Sequence, residues 1–223
     1  MSDDEEEEDE YIPCKVVLLG EAGVGKTSIL TRYVCRRFSQ MVMTSTGSSF
    51  VTKNLDVDEK NKVKFQIWDT AGQEKYRSLA KIFYQSASVI ILVYDITTRN
   101  SFNGIKEYWA KQILENSPED IIIALVANKS DEYYEQKVST QEGKDLAREI
   151  NAIFHSTSAK LGSGIDELFK LIAEKFLDPT KSISQSFMNK EEIIEQERKI
   201  KIEEIKAQNK ENSKKEKKAC CSK

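Results

Sequence analysis

Short apolar runs alternate with helical patterns through the middle of the chain. The apolar runs lie at 14–20, 63–69, 89–95, 121–128 and 152–158, and the helical patterns lie near 26–36, 74–84, 100–115, 140–150 and 163–177. Runs that are apolar at every position suit a sheet that is covered on both faces. Strand–helix alternation at this spacing predicts a mostly parallel α/β sheet with right-handed crossovers.

A sixth strand is predicted from one stretch that departs from this alternation. Residues 49–69, SFVTKNLDVDEKNKVKFQIWD, contain two strand patterns joined by a polar turn at DEKNK, which predicts a hairpin. The predicted fold class is therefore α/β. We expect a mostly parallel six-stranded sheet with one antiparallel edge strand and helices on both faces.

Both ends of the 223-residue chain differ in composition from its middle. Residues 3–10 are eight consecutive acids in a chain of net charge −3, and such a block repels itself. After Pro179 the chain is dominated by Lys, Glu, Gln, Asn and Ser. We expect an acidic, disordered segment (1–11), one folded domain (12–178) and a charged, flexible tether (179–223). The acidic segment is either a solubilising tail or a docking segment for a basic partner, and the tether alternatively forms a short coiled coil.

Two adjacent cysteines, Cys220 and Cys221, follow a lysine cluster at 214–218. Neighbouring Cα atoms lie about 3.8 Å apart, too close for an ordinary disulfide, and two cysteines are too few to hold zinc. Cys14 and Cys35, the other cysteines, make no disulfide framework, which indicates a reducing compartment. The pair is therefore either an accident of the tail or a site of covalent modification.

The pattern of apolar and charged residues argues against a transmembrane helix and against an amino-terminal signal peptide. It contains no apolar run of 18 residues, so we expect no transmembrane helix. Its first ten residues are acidic, whereas a signal peptide begins with basic residues and continues with apolar ones.

The strongest chemical signal is GEAGVGKT at residues 20–27, between a predicted strand and a predicted helix. Glycines in this pattern let several backbone N–H groups point at one phosphate, with a helix N-terminus behind them. Lys26 is expected to reach the terminal phosphates of a nucleotide, and the Thr27 hydroxyl to bind Mg²⁺.

A second motif indicates which nucleotide binds. NKSD, residues 128–131, follows an apolar strand pattern and so lies at the carboxyl end of a strand, where such sheets bind ligands. Guanine presents a ring N–H and an amino group side by side, and the Asp131 carboxylate can accept from both. Adenine presents an acceptor at the ring position and would leave Asp131 unpaired, so the motif predicts guanine selectivity.

These motifs, together with WDTAGQE (68–74) and TSAK (157–160), occur in the order and spacing of the small GTPases of the Ras superfamily. The resemblance covers about residues 12–178 and implies the phosphate-loop fold of that superfamily. Within it, DTAGQEKYRSLA, ILVYDIT (91–97) and the terminal CCSK resemble Rab-type segments.

The resemblance implies a role for each matched residue. Asp69 resembles the acid that holds Mg²⁺ through water, the Gly72 N–H is implied to bind the γ-phosphate, and Gln73 to orient the attacking water, as the catalytic residue. Asn128 and Lys129 are implied to support and stack on the base. The residues implied to hold GTP, GDP and Mg²⁺ are Gly20, Glu21, Ala22, Gly23, Val24, Gly25, Lys26, Thr27, Ser28, Ser45, Asp69, Gly72, Asn128, Lys129, Asp131, Ser158, Ala159 and Lys160, with Thr27, Ser45 and Asp69 assigned to the metal.

The first switch departs from the family pattern. The spacing from Lys26 places Ser45 where the family carries a threonine whose hydroxyl binds Mg²⁺, with Thr44 and Thr46 as neighbouring alternatives. The family's Ile-Gly-x-x-Phe is here TGSSF at 46–50, so the surface expected to meet effectors is more polar than usual.

The resemblance also explains the paired cysteines. Cys220 and Cys221 resemble the endings on which Rabs receive two geranylgeranyl groups; the alternatives are one prenyl group on Cys220, for which Lys223 is a poor last residue, and an unmodified tail. The implied location is the cytoplasmic face of intracellular membranes, in exchange with the cytosol. The implied partners are effectors, an exchange factor, a GTPase-activating protein, a Rab escort protein and a GDP-dissociation inhibitor, acting on a monomer that does not bind nucleic acid.

The sequence therefore predicts a Rab-like switch that hydrolyses GTP slowly unless an activating protein assists, and that regulates vesicle traffic. An alternative is a GTP-bound scaffold with very low turnover because of its divergent first switch. An ATP-using kinase of the phosphate-loop group is disfavoured by Asp131.

Overall fold

The computed structural model describes residues 10–39, 49–70, 82–118 and 120–180. Its strands are β1 (Ile12–Leu19), β2 (Ser49–Asp56), β3 (Lys62–Asp69), β4 (Val89–Asp95), β5 (Ile122–Asn128) and β6 (Ile153–Ser156). They form one sheet in the order β2-β3-β1-β4-β5-β6. β2 and β3 are antiparallel and the other neighbours are parallel. The predicted six-stranded sheet with one antiparallel edge strand is confirmed.

The helices follow the predicted patterns closely. They are α1 (Lys26–Cys35), α2 (Arg99–Gly104), α3 (Ala110–Asn116), α4 (Thr140–Glu149) and α5 (Ile165–Leu177), with a π-helical turn (Ile105–Trp109) joining α2 to α3 and a 3-10 turn (Ser130–Glu135) after β5. The predicted helix near 74–84 lies largely outside the described residues, and its last three residues are helical. The π-helical turn was not predicted.

Helices cover both faces of the sheet, as predicted. On one face, a single apolar cluster joins strand and helix residues, among them Val17, Leu19, Ile90, Leu92, Phe102, Ile105, Trp109 and Leu146. Phe65 of β3 points to the other face, where its ring packs against Tyr33 of α1 and Phe169 of α5 at centroid distances of 6.5 and 5.6 Å. Strand side chains alternate between faces, so both layers are buried by the same strands.

The parallel strands all end at one edge of the sheet. β1 leads there into the loop before α1, β3 ends at Asp69, β4 at Asp95 and β5 at Asn128. Ligands of open α/β sheets bind outside the carboxyl ends of the strands. The predicted site residues of the described ranges therefore converge on one edge.

No helix in the described ranges is long and apolar enough to cross a membrane. Most of the predicted acidic segment (1–11) and of the predicted tether (179–223) lies outside the described residues.

Candidate nucleotide-binding site

The loop 20–25 runs closely against its neighbours, and two of its glycines are required by that contact. Gly20 has a φ of +141°, and a Cβ there would lie 2.2 Å from the Val93 carbonyl oxygen. Gly25 has a φ of +98°, and a Cβ there would lie 2.3 Å from Asn128 Nδ2. Any other residue would clash and be strained, so these glycines let the backbone turn into α1.

Lys26, the first residue of α1, has a buried side chain. Its Nζ donates to the carbonyl oxygens of Gly20 and Glu21 at 2.8 and 2.9 Å. Burial lowers the pKa of Lys26 to about 8, although the charges of Asp69 and Glu21 oppose the shift. A desolvated ammonium beside a glycine-rich loop is electrostatically suited to an anionic ligand.

Asp69 and Thr27 form the second part of this region. The Thr27 Oγ1 donates to Asp69 Oδ2 at 2.6 Å. Asp69 Oδ1 is buried and has no hydrogen-bond partner among the residues that the structure describes. Burial raises the pKa of Asp69, and the hydrogen bond from Thr27 opposes the shift. A hydroxyl beside a partnerless carboxylate oxygen suits a hard cation such as Mg²⁺, which prefers oxygen ligands.

The remaining predicted residues between 21 and 28 differ in their exposure and contacts. The Glu21 carboxylate accepts a hydrogen bond from Trp109 Nε1 at 3.3 Å, so this side chain is directed at the π-helical turn. Ala22 and Gly23 are exposed, whereas Val24 is buried and Ser28 is half-buried. We call residues 20–27 with Asp69 the phosphate side of the site.

Asn128, at the end of β5, joins the phosphate side to the predicted base-binding residues. Its Nδ2 donates to the Val24 carbonyl oxygen at 2.8 Å. Its Oδ1 accepts from Thr157 Oγ1 at 3.1 Å and from the Ala159 N–H at 3.4 Å. One buried amide therefore connects the loop before α1 with the loop after β6.

Asp131, in the 3-10 turn after β5, lies against the loop that follows β6. Its Oδ1 accepts from Ser158 Oγ at 2.5 Å, and its Oδ2 lies 3.5 Å from Lys160 Nζ. The side chain is only 8% exposed. The predicted residues 128–131 and 158–160 thus lie together, and we call them the base side of the site.

Lys129 has a partner that was not predicted. The residue adopts a left-handed backbone with φ +64°, and its Nζ lies 2.7 Å from Asp95 Oδ2. Asp95 Oδ1 accepts from both the N–H and the Oγ1 of Thr97 at 2.8 Å. Burial alone would raise the pKa of Asp95, but the hydrogen bonds from Lys129 and Thr97 outweigh it and lower the pKa. The sequence offers one signal for Asp95, which is that it is an acid at the end of an apolar strand pattern, as Asp69 is.

Several predicted residues cannot be placed. Ser45, Gly72 and Gln73, and the terminal Cys220 and Cys221, lie outside the described residues. Within the described ranges, no group of three or more His, Cys, Asp or Glu side chains is arranged to hold a metal. Any metal ion on the phosphate side would therefore need hydroxyl or phosphate oxygens in addition to Asp69.

The folded part of this chain is similar in sequence to known proteins. Residues 15–178 match the model of the Ras family. The GTP-binding protein ypt5 of Schizosaccharomyces pombe is 43% identical over 162 residues, which cover 72% of this chain and 76% of that protein. The Ras-related protein Rab-31 of Homo sapiens is 41% identical over 167 residues (74% of this chain, 85% of that protein). The Ras-related protein Rab-17 of Mus musculus is 40% identical over 163 residues (73% and 75%).

Proposed function

Because this chain belongs to the Ras family, and within it to the Rab-type small GTPases that act in vesicle traffic, we propose that its guanine nucleotide lies along the carboxyl edge of the sheet. The phosphates lie at the phosphate side and the guanine at the base side. Proteins of this family bind guanine nucleotides and hydrolyse GTP. The observation that carries the placement is the buried Asp131 carboxylate, held by Ser158 Oγ at 2.5 Å beside the loop that contains Ala159.

On the phosphate side, the N–H groups of the loop and the Lys26 ammonium bind the terminal phosphates. A buried cation close to the phosphate oxygens offsets their charge more strongly than an exposed one, because water screens it less. Thr27, Ser45 and Asp69 would hold Mg²⁺. The partnerless Asp69 Oδ1 supports this assignment. The metal supplies charge neutralisation for the phosphates.

On the base side, the two oxygens of Asp131 accept from the ring N–H and the amino group of guanine. The Lys129 stem covers one face of the base, with its ammonium held by Asp95 at 2.7 Å. The N–H of Ala159 donates to the guanine oxygen. Asn128 supports this arrangement through its bonds to Val24 and Thr157.

Hydrolysis needs little covalent chemistry from the protein. We propose that Gln73 orients the attacking water and that the Gly72 N–H binds the γ-phosphate, so that catalysis rests on positioning and charge stabilisation. Hydrolysis is slow until an activating protein adds an arginine. The alternative of a scaffold with very low turnover is not favoured, because relatives with a similar domain are named as Ras-related or GTP-binding proteins.

The carboxyl-terminal segment carries the membrane part of the proposal. Cys220 and Cys221 each receive a geranylgeranyl group, since one lipid gives marginal membrane binding and two anchor stably. The lysines at 214–218 add attraction to an anionic leaflet. The protein then cycles between the cytosol and the cytoplasmic face of an intracellular membrane. Effectors, an exchange factor, a GTPase-activating protein, a Rab escort protein and a GDP-dissociation inhibitor are its proposed partners.

A substitution at Asp131 tests the placement of the base. Asp131→Asn should shift the preference from GDP towards XDP, because an amide can donate to the carbonyl that xanthine carries in place of the guanine amino group. Competition binding against a fluorescent nucleotide measures both affinities.

The matched control is Asp145→Asn, the same change at an exposed carboxylate of α4 that pairs with Arg148. The control should keep the wild-type preference for GDP. If Asp131→Asn also keeps a strong preference for GDP, the placement of the base is wrong.

A further inference from the structure

Arg32, in the last turn of α1, contacts the loop that follows β6. Its Nε donates to the Ala159 carbonyl oxygen at 2.8 Å, and its Nη2 donates to the Lys160 carbonyl oxygen at 2.7 Å. These are consecutive carbonyls of the base side. A planar guanidinium can hold two such acceptors at once, which an ammonium cannot do with the same geometry.

The Arg32 guanidinium is itself held in position. Its Nη1 donates to the Arg36 carbonyl oxygen at 3.2 Å, and its guanidinium lies over the Phe38 ring, 6.0 Å from the centroid. Gly162, at φ +81°, passes so close that a Cβ there would lie 3.4 Å from Arg32 Cδ. The guanidinium is therefore fixed relative to α1, and the loop is fixed relative to it.

The hydrogen bond to the Ala159 carbonyl determines the direction of the Lys160 N–H. In a trans peptide the C=O and the N–H point in opposite directions. Because Arg32 binds the Ala159 carbonyl, the N–H of the same peptide, that of Lys160, points away from α1. The Ala159 N–H lies on the base side as well, 3.4 Å from Asn128 Oδ1. Arg32 thus holds the carbonyl side of the Ala159–Lys160 peptide and directs the Lys160 N–H to the opposite side.

We propose that Arg32 is a positioning residue for guanine recognition. By holding the Ala159 carbonyl, it orients the Ala159–Lys160 peptide so that the Lys160 N–H points to the oxygen at position 6 of the base, beside the Ala159 N–H. This inference rests on the proposed function, in which the guanine lies beside Ala159. Arg32 touches neither the base nor the phosphates in this scheme, and it acts through the backbone of the loop.

A neighbouring arginine provides a matched control. Arg36 also ties α1 to the region after β6, through an ion pair with Asp166 at 2.6 Å. Both side chains of this pair are more than half exposed, at 60% and 55%. Arg36→Gln therefore removes a similar charge and a similar tertiary link, but it keeps both hydrogen bonds to the loop carbonyls.

The experiment compares three nucleotides on the full chain. GDP is the reference, 6-thio-GDP changes the atom at position 6, and IDP lacks the amino group that Asp131 is proposed to bind. Dissociation constants are measured by competition for wild type, Arg32→Gln and Arg36→Gln. We expect Arg32→Gln to narrow the preference for GDP over 6-thio-GDP by about threefold or more, as coupled contacts do. The preference for GDP over IDP should stay unchanged, and Arg36→Gln should behave as wild type in both.

Arg32→Lys keeps the charge but loses the fork, and it serves if Arg32→Gln does not fold. The lysine variant should narrow the same preference by a smaller factor. If Arg32 had a purely structural role, its substitution would weaken the binding of all three nucleotides equally, and that result would overturn the inference. Wild-type selectivity in both Arg32 variants would overturn it too and leave the proposed function standing. A wild-type protein that does not distinguish GDP from 6-thio-GDP would contradict the placement of guanine at Ala159 itself.

Discussion

The phosphate side and the base side meet at one edge of the sheet, yet their polar groups are satisfied to different degrees. On the base side, the Asp131 carboxylate and the Lys129 ammonium each have a protein partner within 2.7 Å. On the phosphate side, the Lys26 ammonium binds main-chain carbonyls and Asp69 Oδ1 has no hydrogen-bond partner among the described residues. The pKa values of Lys26 and Asp69 are both shifted by burial towards the uncharged form.

The difference indicates two ways of preparing a binding site. Base-side groups are oriented by one another, so they are in place before the nucleotide arrives and give up little freedom on binding. Phosphate-side groups are buried without full compensation, so the ligand supplies interactions that the free protein lacks. A buried polar group without a partner is unfavourable, and the ligand that satisfies it gains affinity in return.

The largest expected effect is on the phosphate side. Lys26→Met removes a desolvated ammonium, which binds two main-chain carbonyls in the free protein and which the phosphates need. We expect the affinity for GDP to fall by about a hundredfold, which corresponds to about 2.7 kcal/mol. Free of nucleotide, the variant should be at least as stable as wild type, because the desolvated charge is gone.

Nucleotide competition measures the loss of affinity, and urea unfolding of the nucleotide-free protein measures its stability. Lys170→Met, at an exposed position of α5, is the control and should leave both quantities near their wild-type values. A nucleotide-free Lys26→Met protein that is clearly destabilised would mean that Lys26 already stabilises the empty site.

On the base side, by contrast, we expect a substitution to destabilise the nucleotide-free protein. Asn128→Ala removes a buried amide that bonds to Val24, Thr157 and Ala159. The Val24 carbonyl and the Thr157 hydroxyl would lose partners inside the protein. We expect the nucleotide-free protein to lose about 1–3 kcal/mol of unfolding free energy.

The same urea experiment checks this expectation. Thr157→Val is the partial version of the change, since it removes one of the three bonds, and it should destabilise less. Equal stability of Asn128→Ala and wild type in the absence of nucleotide would show that the base side is not organised before binding.

Sequence patterns predicted the features of this site that are local along the chain. β4 is buried at every position, so its apolar run identified it, and the loop 20–25 was found because its glycines and Lys26 lie in one motif. Asp131 was found because its motif follows an apolar strand pattern and because its carboxylate can accept from the two adjacent donors of guanine. The roles of Ser45 and Gln73 stay predictions, since both residues lie outside the described ranges.

The residues that were missed act over long distances in the chain. Asp95 binds Lys129 across 34 positions, and this contact exists because β4 lies beside β5 in the sheet. Arg32 binds Ala159 across 127 positions. A polar residue on a helix is ordinarily interpreted as solvent-exposed, and nothing near Arg32 in the sequence indicates its partners. Such residues support a motif without belonging to it.

The smallest expected effect concerns a proton. The buried Lys26 has its pKa lowered to about 8, and nearby phosphates favour the charged amine. At a pH of about 8.5, most of the free protein has a neutral Lys26, so GDP binding should take up more than about half a proton. At pH 7 the amine is already charged, and the uptake should be close to zero.

Titration calorimetry in two buffers of different ionisation enthalpy measures this uptake, and pH 7 with the same protein is the control. The pH dependence of the Lys26 contribution has opposite signs for GDP binding and for folding. Because the pKa of Lys26 is lower in the folded protein than in the unfolded chain, the unfolded chain binds more protons between about pH 8 and 10.5. The contribution of Lys26 to the stability of the nucleotide-free protein should therefore rise with pH in that window, while its contribution to GDP affinity falls. Binding without proton uptake at pH 8.5 would mean that Lys26 is already fully charged in the empty site, and the contrast between the two sides would then rest on Asp69 alone.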